Sequence, residues 1–431
     1  MKKVLILSYY WPPGSGPGVQ RWLKFCKYLP EFGWQPSIIT VANGSYPNLD
    51  ETLLEDVPSD LEVIKTDTFE PFAIYNLLRG KSGKAVEVGM GNIKGKTGLL
   101  SSMAKYIRAN LFIPDARLGW NRYSYPKAIK WIKDNNPHLI ITTGPPHSTH
   151  LVGQRLKSDF NIPWIADFRD PWTTIYYNRF LNRTERSEQK DKTLEDSVLS
   201  SANAILTATP GLKAEFEARA KTIKFIPNGF DEEDFNRVDS AASKSFKLSY
   251  IGNFKAVQNI EGLWIAISRI AKDSELKEAF QFEITGNLDE SIQSAFRSHG
   301  IEHLVSVKPF VPHKAAIIRM FEANMLLLPI PQDASNKTIL TGKIFEYLAS
   351  RRPILSIGPS DGNASEILQS CGKSKMIDYD DTDEMERQIR IAIADFQNHK
   401  QLTQDGNDQY LQYSRKGTAK QLAHFLDEQT L

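Results

Sequence analysis

A glycine, a lysine and a glutamate open one predicted helix in the second half of the chain, within LTGKIFEYLASRRPIL at 340–355. The helix is expected to begin at Thr341 or Gly342, where free backbone N–H groups can bind the oxygens of a diphosphate. Lys343 adds positive charge, and Glu346 follows at i,i+3 on the same face, where it can accept hydrogen bonds from ribose hydroxyls. The segment therefore predicts a nucleotide-diphosphate site, and the alternative is an exposed Lys–Glu pair.

Two glycine-containing turns follow predicted strands in the same half of the chain, in YIGNFK at 250–255 and FEITGN at 282–287. Glycine lets the backbone approach a ligand closely, and Lys255 offers a point charge for phosphate. Asn253, Lys255 and Gly286 are therefore assigned to the same ligand. Ordinary strand–helix connections remain the alternative for both turns.

The first predicted strand of the chain runs into a glycine-rich turn, in YYWPPGSGPGVQR at 9–21. Gly16 and Gly18 are expected to face a ligand at the start of the next helix, although a plain turn stays open. The dinucleotide pattern GxGxxG is absent because Val19 stands at its last glycine. Met90 likewise occupies the first glycine of a P-loop pattern, and we reject that motif.

Two further strand ends in the first half carry groups that can orient or transfer protons, in LIITTGPPHSTH and WIADFRDPW. Ligands of wound α/β sheets bind beyond the carboxyl ends of strands, so His147 either caps a helix or holds a hydroxyl. Burying charges at a strand end is costly unless they pair or meet a ligand. Either Arg169 pairs internally with a carboxylate, or Asp167 or Asp170 faces an acceptor hydroxyl as base or orienter.

Length and composition indicate what kind of fold positions these residues. The 431 residues fit two α/β domains of about 200 residues each. A net charge of +2 does not suggest a nucleic-acid partner. The two cysteines, Cys26 and Cys371, exclude a disulfide framework and suit a reducing cytoplasm. No apolar run reaches the length of about 18 residues that a membrane span requires.

Short β-branched runs alternate with helical patterns, which is typical of parallel sheets with crossover helices. The best linker candidate is 230–245, so we predict domains at 1–235, joined by a tail at 408–431, and at 246–405. A basic amphipathic stretch at 100–112 either packs on its own domain or lies on a membrane surface. The predicted strands are 3–8, 36–41, 61–66, 139–142, 164–167, 204–207, 247–251, 281–285, 305–310, 325–329, 353–357 and 375–377.

Taken in order, the motifs IPNGFD, YIGNFK, FEITGN, VKPFVPH and TGKIFEYLASRRPIL resemble the retaining GT-B glycosyltransferases of family 4, or glycosyl transferase group 1. The resemblance covers essentially the whole chain. It implies two Rossmann-like α/β domains facing an interdomain cleft, with the donor on the C-terminal side and the acceptor on the N-terminal side. It also implies a tail helix, here about 411–426, that crosses back to the first domain.

The resemblance also implies roles for single residues. Glu346 matches the second carboxylate of the family's paired-glutamate motif, and Pro312 would lie against the base. The first glutamate of the pair falls at Thr338, and the usual arginine and lysine fall at Asn253 and Gln258. Lys255 and Lys343 would then supply the charge, or diphosphate binding is weaker. The family's first-domain histidine is replaced near Asp167.

The function implied is hexosyl transfer from a nucleotide-diphosphate sugar to a hydroxyl of a surface glycan, with Asp167 or His147 orienting the acceptor. No metal or cofactor is implied, because a helix dipole and cations neutralise the leaving diphosphate. The expected partners are the nucleotide sugar and a glycan or lipid-linked glycan acceptor. The expected location is the cytoplasm, at the inner face of the membrane if 100–112 binds there.

Three alternatives stay open. One is a nucleotide-sugar 2-epimerase of the same fold. Another is a nucleotide-sugar-binding protein without turnover, which the departures at Thr338, Asn253 and Gln258 favour. A nicotinamide dehydrogenase ranks last because neither domain carries the glycine spacing that it needs.

Overall fold

The computed structural model describes residues 1–46, 48–69, 106, 109–175, 178, 181–235, 245–274, 276, 279–398 and 408–430. Its internal contacts divide the chain into two compact units. Unit 1 combines Met1–Asn228 with Arg415–Leu431, and unit 2 is Gly229–Ser414. The segment around Met90, most of 100–112 and residues 236–244 of the predicted linker lie outside the described residues.

Unit 1 is built on one seven-stranded parallel sheet with strand order β3-β2-β1-β4-β5-β6-β7. The order reverses between β1 and β4, which is the switch point of a doubly wound sheet. The strands are β1 (Lys2–Leu7), β2 (Trp34–Val41), β3 (Glu62–Thr66), β4 (Leu139–Gly144), β5 (Trp164–Phe168), β6 (Ala204–Thr207) and β7 (Ile223–Phe225).

Helices flank the sheet of unit 1, so its central strands are buried and read as continuous apolar runs. Every residue from Val4 to Leu7 of β1 has no exposed surface. Alternate residues of this strand contribute to two separate hydrophobic clusters, as expected for a sheet that is covered on both faces. The helices are α1 (Pro17–Tyr28), α2 (Asn121–Asn135), α3 (Ser148–Phe160), α4 (Glu185–Ser201) and α5 (Pro210–Phe216).

Unit 2 repeats the same plan with a five-stranded parallel sheet of order β10-β9-β8-β11-β12. Its strands are β8 (Phe246–Ile251), β9 (Phe280–Thr285), β10 (Val305–Lys308), β11 (Met325–Pro329) and β12 (Ile354–Ile357). Its helices are α6 (Glu232–Phe235), α7 (Glu261–Lys272), α8 (Glu290–Ser298), α9 (His313–Glu322), α10 (Lys343–Ser350), α11 (Asn363–Ser370) and α12 (Thr382–Gln397).

The predicted α/β class with two Rossmann-like sheets is confirmed. Two details differ. The predicted strand at 375–377 makes only an isolated bridge, between Ile377 and Ile357, because the chain there meets the edge of the sheet for a single residue. A short strand that we did not predict as such, β7, extends the sheet of unit 1.

The last helix, α13 (Arg415–Glu428), belongs to unit 1. It begins later than the predicted tail helix because a 3₁₀ turn, Asp408–Tyr413, precedes it. Leu422 and Leu426 of α13 have no exposed surface and share a hydrophobic cluster with Val19 and Trp22 of α1. The C-terminal end of the chain is therefore part of the first core. None of the helices in the described part of the chain has the length and apolar character needed to cross a bilayer.

Replacement of Leu422 by alanine is expected to lower the free energy of unfolding of unit 1 by about 2–5 kcal/mol, the usual loss for a fully buried leucine. Tryptophan fluorescence during urea unfolding is a suitable measurement, because all tryptophans except Trp264 lie in unit 1. Lys420→Ala, on the exposed face of the same helix, is the matched control. Equal stability of the two variants would show that α13 contributes nothing to the core.

Candidate functional site

The start of α10 is fixed by the core and open to solvent. Gly342 is its N-cap, as predicted, and the hydroxyl of the preceding Thr341 accepts a hydrogen bond from the Lys343 N–H at 3.2 Å. Gly342 is exposed, whereas Ile344 and Phe345 in the first turn are buried. The buried face holds the helix in place, and the N–H groups of its first turn donate to Thr341 and Gly342. Such an end favours a bound anion through the helix dipole, and phosphate oxygens would replace the local acceptors of its N–H groups.

Lys343 adds a cation beside this helix end. Its Nζ donates a hydrogen bond to the Tyr250 hydroxyl at 2.7 Å and lies 4.1 Å from the centre of that ring. Burial lowers the pKa of Lys343 to about 8; Glu346 acts in the opposite direction, and Lys255 lowers the pKa further. A bound phosphate would replace part of the lost hydration and raise the pKa of Lys343 again.

The two glycine turns of unit 2 meet at the carboxyl ends of β8 and β9. Gly252 and Gly286 have φ values of 124° and 130°, which strongly favour glycine. A Cβ on Gly286 would come within 2.4 Å of the Gly252 carbonyl oxygen, and one on Gly252 within 2.6 Å of the Lys343 amine. Glycine therefore allows the turns to pack and leaves room for Lys343 at the end of β8. Asn253 and Lys255 are exposed beside these turns.

Glu346 has a partner that we did not predict. Its Oε1 lies 3.0 Å from Nε2 of His313, the first residue of α9, and Nδ1 of His313 lies 3.9 Å from an Asp234 oxygen. The Glu346 side chain keeps 26% of its surface exposed, so it can still contact a ligand. Pro312 is the exposed N-cap of α9. The motif VKPFVPH contains His313. His313 and Glu346 are too far apart in sequence for a local pattern to predict their contact.

Two departures from the family pattern have local explanations. Gln258 is only 8% exposed, and its side-chain amide accepts from the Lys255 N–H at 3.2 Å and donates to the Pro329 carbonyl at 2.9 Å. It supports the turn after β8 and offers no charge to a ligand. Thr338 lies in an exposed 3₁₀ turn, and its hydroxyl donates to the Ser335 carbonyl.

In unit 1, the structure favours glycine at positions 16 and 18 for different reasons. Gly16 is the N-cap of α1 with a φ of 120°, and no side chain caps the helix. A Cβ on Gly18 would lie 1.0 Å from Nη1 of Arg169, so this glycine makes room for the guanidinium. Arg169 donates to the carbonyls of Gly144, at 3.1 Å, and Pro145. Main-chain carbonyls thus take the place of the carboxylate partner that we considered for Arg169.

Asp167 belongs to the core. It has no exposed surface, and its carboxylate accepts from Arg21 at 3.0 Å and from Trp22 and Thr143 at 2.8 Å each. These donors satisfy both of its oxygens inside unit 1. The role expected from the sequence, contact with an acceptor hydroxyl, is therefore corrected to a structural one, because the buried charge is neutralised by Arg21.

His147 and Asp170 differ in their access to solvent. The His147 ring is 7% exposed and stacks on Trp172 with ring centres 5.0 Å apart. Burial lowers the pKa of His147 to about 3, so the ring is neutral at physiological pH. Asp170 is exposed; desolvation by surrounding protein raises its pKa, and Arg169 opposes this effect. Of the three predicted catalytic residues, Asp170 has the accessible carboxylate.

Because Asp167 neutralises a buried arginine, Asp167→Ala is expected to lower the free energy of unfolding by about 3–5 kcal/mol. Asp170→Ala, three residues later and exposed, should change it by less than about 0.5 kcal/mol. Urea unfolding followed by tryptophan fluorescence measures both. A stable Asp167→Ala variant would contradict the structural role of the Arg21–Asp167 pair.

No protein-family model and no curated protein sequence matches the chain. Solved structures are similar over nearly its whole length. Sucrose-phosphate synthase from Thermosynechococcus elongatus is similar at 14% identity, with 99% of both chains covered and a TM-score of 0.57. The pneumococcal O-GlcNAc transferase GtfA, in complex with UDP and GlcNAc, has 11% identity, 99% coverage of this chain and a TM-score of 0.52.

A proposed UDP-N-acetylglucosamine 2-epimerase from Listeria monocytogenes is also similar, at 10% identity, with 99% of this chain and 97% of that chain covered and a TM-score of 0.50. Likeness at such low identity is evidence of shared fold. The chain has the GT-B fold of these glycosyltransferases, with two Rossmann-like α/β units.

Proposed function

We propose that this protein is a retaining glycosyltransferase that moves a hexosyl group from a nucleotide-diphosphate sugar to a hydroxyl of a surface polysaccharide or glycan. One observation carries the proposal: the exposed Gly342 at the start of α10 is followed by Lys343 and Glu346 on a helix whose opposite face is buried. The GT-B fold and its occurrence in a transferase complexed with UDP and GlcNAc support it. In this proposal the reaction takes place in the cytoplasm.

Unit 2 provides the residues for the donor. The diphosphate would accept hydrogen bonds from the N–H groups near Gly342, and Lys343 would neutralise part of its charge. Lys255, exposed after β8, would add a second cation. Glu346 would accept the ribose hydroxyls, and the base would lie against Pro312.

The transfer itself forms a bond between an acceptor oxygen and the anomeric carbon while the bond from that carbon to the β-phosphate oxygen breaks. In front-face attack the departing phosphate oxygen takes the acceptor proton, so both events occur on one face and configuration is retained. The cations and helix end stabilise the leaving diphosphate, and no further cofactor enters the proposal. Asp170 of unit 1 is the proposed acceptor contact, and the neutral His147 supports its loop.

A 2-epimerase is the second candidate, favoured by the likeness to the Listeria protein. Epimerisation needs acid and base groups around C2 of the sugar, and it proceeds without an acceptor. Analysis of the sugar after incubation of donor with protein alone separates the two reactions. Inverted configuration at C2 in the absence of acceptor would favour the epimerase. Tight donor binding without any turnover would favour a nucleotide-sugar-binding protein.

Glu346→Ala is expected to weaken donor binding by about 1.5–3 kcal/mol, the range for lost hydrogen bonds to a charged group. A thermal-shift screen with uridine and guanosine diphosphate sugars identifies the donor, and calorimetry then gives the affinities. Glu366→Ala, exposed on α11, is the control. The ribose assignment is wrong if a folded Glu346→Ala variant binds as tightly as the native protein.

Donor affinity is expected to fall as pH rises through about 8, because the pKa of Lys343 in the folded protein is about 8 and only its protonated form attracts phosphate. Below that pH the lysine is charged, and affinity should be level. Above it, affinity should decline by up to about tenfold per pH unit. Calorimetry from pH 6.5 to 9.5 measures the profile, and Lys343→Met provides the reference without this charge. If donor affinity depended on pH equally in the native protein and in Lys343→Met, the assignment of Lys343 to the phosphate would be wrong.

A further inference from the structure

A cavity of about 420 Å³ in unit 1, wide open to solvent, is separate from the residues assigned to the donor and acceptor. Its walls include Thr66 and Asp67 at the carboxyl end of β3, and Tyr123 from α2. The cavity therefore lies at the edge strand of the sheet, away from the switch point between β1 and β4. None of the motifs in the sequence analysis contributes to it.

The side chains that line the cavity have a net positive charge. Lys65, Lys127 and Lys130 line it, together with a single carboxylate, that of Asp67, so three positive charges and one negative charge leave +2. Within the part of the chain that the structure describes, none of the three lysines forms an ion pair. Lys127 and Lys130 are related by i,i+3 on α2, a spacing at which like charges repel. This repulsion would be relieved by a bound anion.

The charge and shape indicate the class of anion. A phosphate monoester carries about −1.5 to −2 at neutral pH and presents three acceptor oxygens, which match a net charge of +2 and three ammonium donors. The cavity is also larger than one phosphate group, so it has room for the attached group. The Tyr123 side chain is half-buried in the same wall and can contact that group.

We propose that this cavity binds a phosphate-bearing group, displayed either by a free phosphorylated molecule or by an anionic lipid headgroup. Lys65, Lys127 and Lys130 bind its oxygens, and Asp67 limits the net charge that the cavity accepts. This site goes beyond the proposed transferase function and does not depend on it.

Calorimetric titration of the full chain with inorganic phosphate at low ionic strength tests the site. Lys130→Glu is expected to weaken binding about tenfold, since it removes one attraction and adds one repulsion close to the anion. Lys133→Glu makes the same charge change one turn later on α2, outside the cavity, and should stay within about twofold of the native protein. Absence of phosphate binding in the native protein, or equal losses in the two variants, would overturn the proposal.

A second pair of measurements separates this site from the donor site and identifies the source of the phosphate. Binding of inorganic phosphate should persist in Lys343→Met, and its loss there with retention in Lys130→Glu would assign the anion to unit 2 instead. Sedimentation with phosphatidylcholine vesicles containing phosphatidic acid tests the headgroup. Capture that depends on Lys130 but not on Lys133 indicates the lipid source. Binding of inorganic phosphate alone, with the same dependence, indicates a free molecule.

Discussion

The candidate donor site depends on one constraint: α10 must bury one face of its first turn while its N-terminal end stays at the surface. Ile344 and Phe345 meet the first condition and the exposed Gly342 meets the second. Lys343 is held between them by Tyr250, so the cation is fixed at the same end of the helix. Preorganised dipoles and charges of this kind need little reorganisation when a diphosphate arrives or departs.

The parallel sheets were the most predictable part of the structure. Strands buried on both faces appear as continuous apolar runs, so their positions could be read directly. The helix at 343–350 was predictable for a similar local reason, because a glycine precedes an amphipathic turn. The isolated bridge at Ile377 shows the limit of such predictions, because pairing at the edge of a sheet depends on the path of the chain in three dimensions.

Residues of the candidate site could be predicted only where residues that are close in sequence act together. Lys343 and Glu346 share one helix turn. The Asp167 partner Arg21 lies far away in sequence, and so does the His313 partner of Glu346. A carboxylate at a strand end looks the same in sequence whether an arginine from another helix or a substrate hydroxyl meets it. Tertiary packing decides between these two outcomes, and in this structure Asp167 pairs with Arg21 in the core of unit 1.

The position of α13 also affects how the chain matures on the ribosome. Val19 and Trp22 of α1 belong to a hydrophobic cluster that contains strand residues of the same sheet and, from α13, Leu422 and Leu426. The chain must therefore be translated as far as Leu426 before the first core is complete. Unit 2, whose chain is continuous, can finish folding earlier. Until α13 has emerged from the ribosome, the apolar residues of α1 that pack against it remain exposed to water.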